Sequence, residues 1–307
     1  MNSAPIVLFV YNRPWHTMRT VECLQKNRYA EQSELIIYAD GPKEGEADAE
    51  IRKVRDYLRK ISGFKRISIT ERNHNFGLAS SVIEGATEVI DKYGKAIVLE
   101  DDLELSPDFL RFMNAALDRY NNDNKVMQIS GHMFNLSIEA ETDAVFLPFT
   151  NSWGWATWKR AWDLFDPTME GYKKIITDKN LIIRFNLDGA LNFFEMLESQ
   201  INGKLDSWAI RWYLDVFLAT GMALYPVKSL VKHIGFGNGA THCRNSAPFG
   251  IYANSCAEMD KDFIKFPDVS INEEAYQKIK SLLSSQRTIA GNFKLLFRKF
   301  LKNNGRR

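Results

Sequence analysis

Ala96-Ile97-Val98-Leu99-Glu100-Asp101-Asp102-Leu103-Glu104-Leu105-Ser106-Pro107-Asp108-Phe109 is the stretch whose reading decides the fold. Its first four residues are apolar and predict a short buried strand. That strand runs directly into three acids. Ser106 is the expected N-cap of a following helix, with Pro107 and Asp108 in its first turn, where both residue types are favoured. Three adjacent carboxylates repel one another, and a cation or water relieves the repulsion. In an α/β sheet, acids at the carboxyl end of a buried strand stand at the ligand crevice, where hard divalent cations take oxygen ligands. A solvated acidic turn is the plainer reading, and the flanking sequence weighs against it.

Upstream, the continuous apolar run Ile6 to Tyr11 predicts a strand covered on both faces. Asn12-Arg13-Pro14 stops it, and Pro14 opens a helix reaching to about Lys26. Leu35 to Ala39 is a second buried strand, ending in Asp40-Gly41-Pro42. Helical spacing follows through Ile51, Val54, Leu58 and Ile61. Ile67 to Ile69 is a third strand, Arg72 to Leu78 a loop, and a helix from about Ala79 to Tyr93 is closed by Gly94. This alternation predicts an α/β fold with a mostly parallel central sheet, flanking helices and right-handed crossovers. Ligands belong at the strand carboxyl ends, where Asn12-Arg13, Asp40-Gly41 and Asp101-Asp102 all fall.

No GxGxxG follows the first strand, and no GxxxxGK[ST] occurs, so two common phosphate-binding loops are missing. Gly235 to Ala240 imitates the first but opens no helix. A metal is then the expected device for neutralising a pyrophosphate. Arg13 suits a phosphate contact and Asp40 a contact to a base or ribose. Each taken alone also reads as an ordinary turn or surface residue.

The second half changes character. Val126 to Gly131 and Ala144 to Leu147 read as strands. Four of the seven tryptophans then fall within the ten residues Trp153 to Trp162. Indoles spaced by small residues suit a platform for a sugar ring, and they equally suit a core corner. Helical patterning runs from Leu191 to Ile201 and from about Ser207 to Leu218. Asp206 is the expected N-cap of the latter, or a rigidly held general base. The glycine-rich run Gly235 to Cys243 follows, with His233 and His242 nine positions apart; His242 is a candidate metal ligand on a loop suited to closing over a phosphate.

Composition bounds the rest. The chain has 307 residues, 45% hydrophobic and 25% charged, which fits one large domain or a domain with a substrate lobe. Forty basic against thirty-eight acidic residues give no global case for nucleic acid. Cys23, Cys243 and Cys256 are odd in number and widely spaced, which favours a reducing compartment over a structural zinc site. The N-terminus goes straight into a strand and no apolar run is long enough to span a bilayer, so a cytoplasmic location is expected. Lys294, Arg298, Lys299 and Lys302 beside Ile289, Phe293, Phe297 and Phe300 make 271–307 a helical basic tail. It is suited either to peripheral contact with the inner face of the cell membrane or to packing on the domain.

Taken in order, Tyr11-Asn12-Arg13, the Asp40 turn, Asn75-Phe76-Gly77-Leu78, Leu99 to Leu103, Gly154-Trp155, Asp206-Ser207-Trp208 and the late glycine loop span residues 4–243. This combination resembles the GT-A class of nucleotide-sugar glycosyltransferases and, more narrowly, is similar to the N-acetylglucosaminyltransferase I group and its bacterial relatives in surface polysaccharide assembly. The resemblance implies a nucleotide-sugar-binding half at 1–125, an acceptor-side lobe at 126–270, and transfer from a nucleoside diphosphate sugar, expected to be UDP-linked, to a glycan or lipid-linked glycan hydroxyl. It implies Asp102 as the direct ligand of Mn2+ or Mg2+, with Glu100 and Asp101 facing sugar and ribose. Tyr11, Asn12, Arg13, Asp40, Gly77, Leu78, Gly154 and Trp155 become donor contacts. Asp206 becomes the base of an inverting reaction, in a motif usually written Asp-Asp-Trp; Ser207 in place of the second acid leaves Asp215 as the alternative. A sugar nucleotidyltransferase and a non-catalytic carbohydrate binder are the competing readings.

Overall fold

The computed structural model describes residues 3–45, 47–235, 255–259 and 263–285. β1 (Ile6–Val10), α1 (Pro14–Gln25), β2 (Glu34–Ala39), α2 (Ala49–Leu58), β3 (Arg66–Glu71), α3 (Leu78–Tyr93) and β4 (Lys95–Glu100) alternate as the apolar pattern predicts. Every residue of β1 is buried, as expected of a strand with helices on both faces. Pro14 opens α1, and Gly94 closes α3 in the left-handed region.

β5 (Leu103–Leu105) and α4 (Phe109–Arg119) follow the acidic turn. Ser106 is not the helix cap. It forms the turn before α4: its hydroxyl accepts from the Asp108 N–H at 3.2 Å, and Asp108 takes the N-cap position without capping through its side chain. The reason lies in Asp108, whose carboxylate is drawn instead to Arg28, Arg111 and the Met259 N–H.

β6 (Val126–Ser130), β7 (Ala144–Leu147), β8 (Trp155–Trp158), α5 (Lys159–Trp162), α6 (Tyr172–Ile176), α7 (Lys179–Phe185), α8 (Phe193–Ile201), α9 (Trp208–Leu218), β9 (Met222–Pro226) and β10 (Val231–His233) complete the named elements, and 273–285 is helical. Eight strands form one sheet in the order β3-β2-β1-β4-β8-β6-β9-β7. β8 and β7 run against the others, so the sheet is mostly parallel with two reversed strands. It continues without a break across residue 125, joining the two expected halves.

β8 settles the tryptophans. Side chains alternate across a strand, so Trp155 and Trp158 enter opposite faces of the sheet. Trp155 is fully buried against Trp162 and Trp208 on the α3–α9 side. Trp158 is buried on the α4 side, where its indole N–H donates to the Leu117 carbonyl at 3.0 Å. Trp162 donates to Thr87 at 2.9 Å. These three are core side chains, not a sugar platform. Trp153 alone of the four stays half-buried, ahead of the strand.

Candidate functional site

Because β2, β1 and β4 are neighbours, their carboxyl ends bring Asp40, Tyr11 to Arg13 and Glu100 to Asp102 together. The acidic turn is tied down by α1. Thr20 donates to the Asp101 carbonyl at 2.9 Å and accepts from the Leu103 N–H at 3.1 Å. Arg13, the residue before α1, reaches over both acids: Nη2 donates to Asp101 Oδ1 at 2.5 Å and to Asp102 Oδ2 at 2.8 Å. Burial works against its charge, but the two carboxylates outweigh it and raise its pKa. The Tyr11 backbone also bonds to Asp101. Burial raises the pKa of Glu100 and of Asp101; at Glu100 the neighbouring acids add to it, and at Asp101 Arg13 opposes it. Glu100 accepts from the Trp208 side chain, which links the turn to the start of α9.

The chain returns to this turn from the far end of the fold. β10 pairs antiparallel with β5, placing His233 opposite Leu103, and the Ile234 N–H donates to the Asp102 carbonyl at 2.8 Å. His233 Nε2 stands 3.4 Å from Asp102 Oδ2. Its Nδ1 accepts from the Gly235 N–H at 3.2 Å, so the proton of the neutral ring belongs on Nε2, pointing at the carboxylate. Burial lowers the pKa of His233 despite Asp102, favouring that neutral ring. A Cβ at Gly235 would overlap the Asp102 carboxylate, so any larger residue there must displace that side chain. Trp153 packs on His233 with ring centroids 4.6 Å apart and against buried His132 at 4.7 Å. Burial, with His233 adding to it, pushes His132 down to about 3.

The two oxygens of Asp102 therefore differ. Oδ2 is engaged by Arg13 and faces His233, whereas Oδ1 is buried without a hydrogen-bond partner among the described residues. A buried carboxylate oxygen left bare is costly unless something positive meets it. The donor set fits a hard divalent cation bound through Oδ1. Among the described residues, no three His, Cys, Asp or Glu side chains are grouped to enclose an ion. Mg2+-like ions commonly take one or two carboxylates, with phosphate and water completing the shell.

A protein-family model matches residues 1–171, more than half the chain. The chain belongs to the GNT-I family. No curated protein matches it by sequence. Among solved structures it is similar to GalNAc-T7 in complex with UDP, GalNAc and Mn2+, at 12% identity and a TM-score of 0.48, over 76% of this chain and 44% of that one. It thus spans less than half of that protein's length. It is also similar to the mannosyltransferase PcManGT from Pyrobaculum calidifontis in complex with GDP-Man and Mn2+, at 12% identity and a TM-score of 0.38, over 70% of this chain and 73% of that one. The GNT-I family is one of GT-A glycosyltransferases, in keeping with the mixed α/β sheet described above.

The other expected residues of the GNT-I reading fall as follows. Asp40 is buried and its carboxylate is filled: Oδ1 accepts from the Gly41 and Phe76 N–H groups at 2.9 Å each, and Oδ2 from Asn75 at 3.0 Å and the Gly77 N–H at 3.1 Å. With about four lone-pair sites on a carboxylate, Asp40 shapes the 75–77 loop and keeps none spare for a ribose. Gly77 caps α3, and Leu78 opens it with its side chain packed on the core. Asn12 lies half-buried between β1 and α1. Gly154 precedes β8 with φ +63°, and its carbonyl accepts from the Gly131 N–H at 2.7 Å. Trp155, wholly buried, does not line an open site.

Asp206 is not the α9 cap. Ser207 is, its hydroxyl facing the Ile210 N–H at 3.5 Å. This frees Asp206, whose side chain is 61% exposed and held by Arg211 at 2.7 Å. Asp215 turns the other way: it is buried and accepts from the Asp166 N–H at 2.8 Å, as a brace for the 163–170 loop. The alternative base is thereby removed from the site. His242 and the tail from 286 onward lie outside the described residues. Sequence reasoning passed over His233, His16 and Thr20. The histidine pair around Gly235 was visible, but the β5–β10 pairing that selects His233 was not. His16, hydrogen-bonded to the Ile234 backbone, carried no signal of its own.

Proposed function

We propose that this chain transfers a sugar from a nucleoside diphosphate donor, UDP-linked in our reading, to a glycan hydroxyl with inversion at the anomeric carbon. The observation that carries the proposal is Asp102 Oδ1, buried and without a hydrogen-bond partner among the described residues at the end of a central strand, while Oδ2 is engaged. Asp102 would hold a divalent cation here, which would supply Lewis-acid stabilisation of the departing diphosphate. Arg13 orients the carboxylate and keeps a fixed positive charge beside it, and His233 faces the same oxygen, Oδ2. Asp206 is the proposed base. It is exposed, fixed in direction by Arg211, and two residues from the Trp208 that bonds Glu100; general-base assistance is worth typically ~10²–10⁴-fold. The setting we propose is surface polysaccharide or lipopolysaccharide synthesis on the cytoplasmic side of the membrane, consistent with the free thiols of Cys23 and Cys256.

The test is calorimetric titration with nucleoside diphosphates, with and without Mn2+. Manganese-dependent binding of one nucleotide, lost in Asp102→Ala, is expected; binding that ignores the metal or survives the substitution overturns the reading. Product with retained anomeric configuration would overturn the inverting step alone.

A further inference from the structure

Beyond the acidic turn, α8 ends in a way that shapes the surface leading to Asp206. Gly203 adopts φ +67°, the Gly203 N–H donates to the Gln200 carbonyl at 3.1 Å, and the Lys204 N–H to the Ser199 carbonyl at 2.8 Å. These two bonds form a Schellman motif, which reverses the chain and folds the residue after it back onto the helix. Leu205 thereby lines one groove with Phe193 and Met196. The Ser207 N–H then donates to Gln200 Oε1 at 2.6 Å, fastening the start of α9 to the end of α8 with Asp206 between them.

The result is a groove of about 340 Å³ walled by Leu191, Phe193, Met196 and Leu205, with Ser199 and Lys204 on its polar side. Met196 is 41% exposed, an apolar side chain left uncovered in the described structure. The Ser199 hydroxyl and the Lys204 ammonium have no hydrogen-bond or ion-pair partner among the described residues. An apolar wall with a few free polar groups suits a sugar ring, whose CH face packs while its hydroxyls bond. Three residue steps separate Leu205 from Trp208, at most ~11 Å between Cα atoms. Leu205, one wall of the groove, directly precedes Asp206, so the groove begins one residue from the proposed base and within that reach of the residue touching Glu100. It also lies outside residues 1–171, the part shared with the family model.

We infer that this groove is the acceptor site, taking a hexose or N-acetylhexosamine residue of a glycan and presenting its hydroxyl to Asp206. The inference rests on the proposed transferase reading and adds to it the binding surface of the second substrate. Its test is saturation-transfer NMR with 4-nitrophenyl hexosides and N-acetylhexosaminides on the protein, Phe193→Ala and Met196→Lys, each also titrated with UDP and Mn2+. Expected are sugar signals for at least one glycoside that fall at least fivefold in both variants, with nucleotide affinity unchanged. Glycosides that fail to bind, or that bind all three proteins alike while UDP still binds, overturn the acceptor groove. Loss of nucleotide binding by the unsubstituted protein would overturn the transferase reading instead. A variant that loses both ligands and its folded circular dichroism is replaced by Lys204→Met, which leaves the apolar wall intact and is expected to weaken the glycoside alone.

Discussion

At the scale of single residues, the asymmetry of Asp102 is the feature from which most else follows. Oδ2 is drawn to Arg13 and Oδ1 has no hydrogen-bond partner among the described residues, so the carboxylate is set in one orientation before any cation arrives. Pre-set geometry of this kind lowers the cost of binding. Gly235 guards that orientation by close approach. Gly235→Ala is expected to push the Asp102 carboxylate off Arg13 and to weaken manganese-dependent nucleotide binding by ~10-fold or more, at a stability cost of about 1–3 kcal/mol. Calorimetry and thermal melting on the same preparation separate the two effects; affinity unchanged would show that the contact is not confining. Asp215 makes the opposite kind of prediction. Burial pushes its pKa up to about 7, whereas in the unfolded chain it is near ~3.9. The folded state therefore binds more protons between those values, and stability falls as pH rises through that window. Asp215→Asn keeps a carbonyl acceptor for the Asp166 N–H and removes the charge. It is expected to flatten the dependence of Tm on pH between about 4 and 7 and to be more stable at pH 8, by up to ~4 kcal/mol. A pH profile parallel to that of the unsubstituted protein would refute this.

At the scale of elements, the parallel half of the sheet was legible because each of its strands is a dense apolar run followed by a stop. Ile6 to Val10, Leu35 to Ala39 and Ala96 to Leu99 all lie within strands of the structure, and Arg13 after the first meets the acids after the last. What the sequence concealed was pairing at a distance. Leu103 to Leu105 has too few residues to announce a strand, and only Val231 to His233, more than a hundred positions later, gives it a partner. The tryptophan run left two readings open for a related reason: spacing that suits a ring platform equally suits an inner strand, and the neighbours β4 and β6 that make β8 an inner strand are not written near it. The two capping residues were each misplaced, Ser106 by two positions and Asp206 by one. At Ser106 the cause is a competing ion pair that claims Asp108. At Asp206 a serine stands next to an acid and takes the cap, leaving the carboxylate to Arg211.

At the scale of the molecule, the family-matched region and the folding unit do not coincide. Residues 1–171 contain β6 and β7 but not β9, which lies between them. A fragment of those residues would leave β7 without its partner strand and β6 with an unpaired edge. Such edges are prone to association. The fragment is expected to show no cooperative thermal transition and to aggregate, as read by near-ultraviolet circular dichroism and light scattering; a sharp melt would contradict this. The same insertion has a temporal side. During synthesis, β6 and β7 leave the ribosome long before Met222–Pro226 does, and at ~5–20 residues per second the slot between them stands open for several seconds. For that interval the nascent chain carries a gap one strand wide, lined with unpaired amides. A chaperone that binds unpaired strand edges would find its target there.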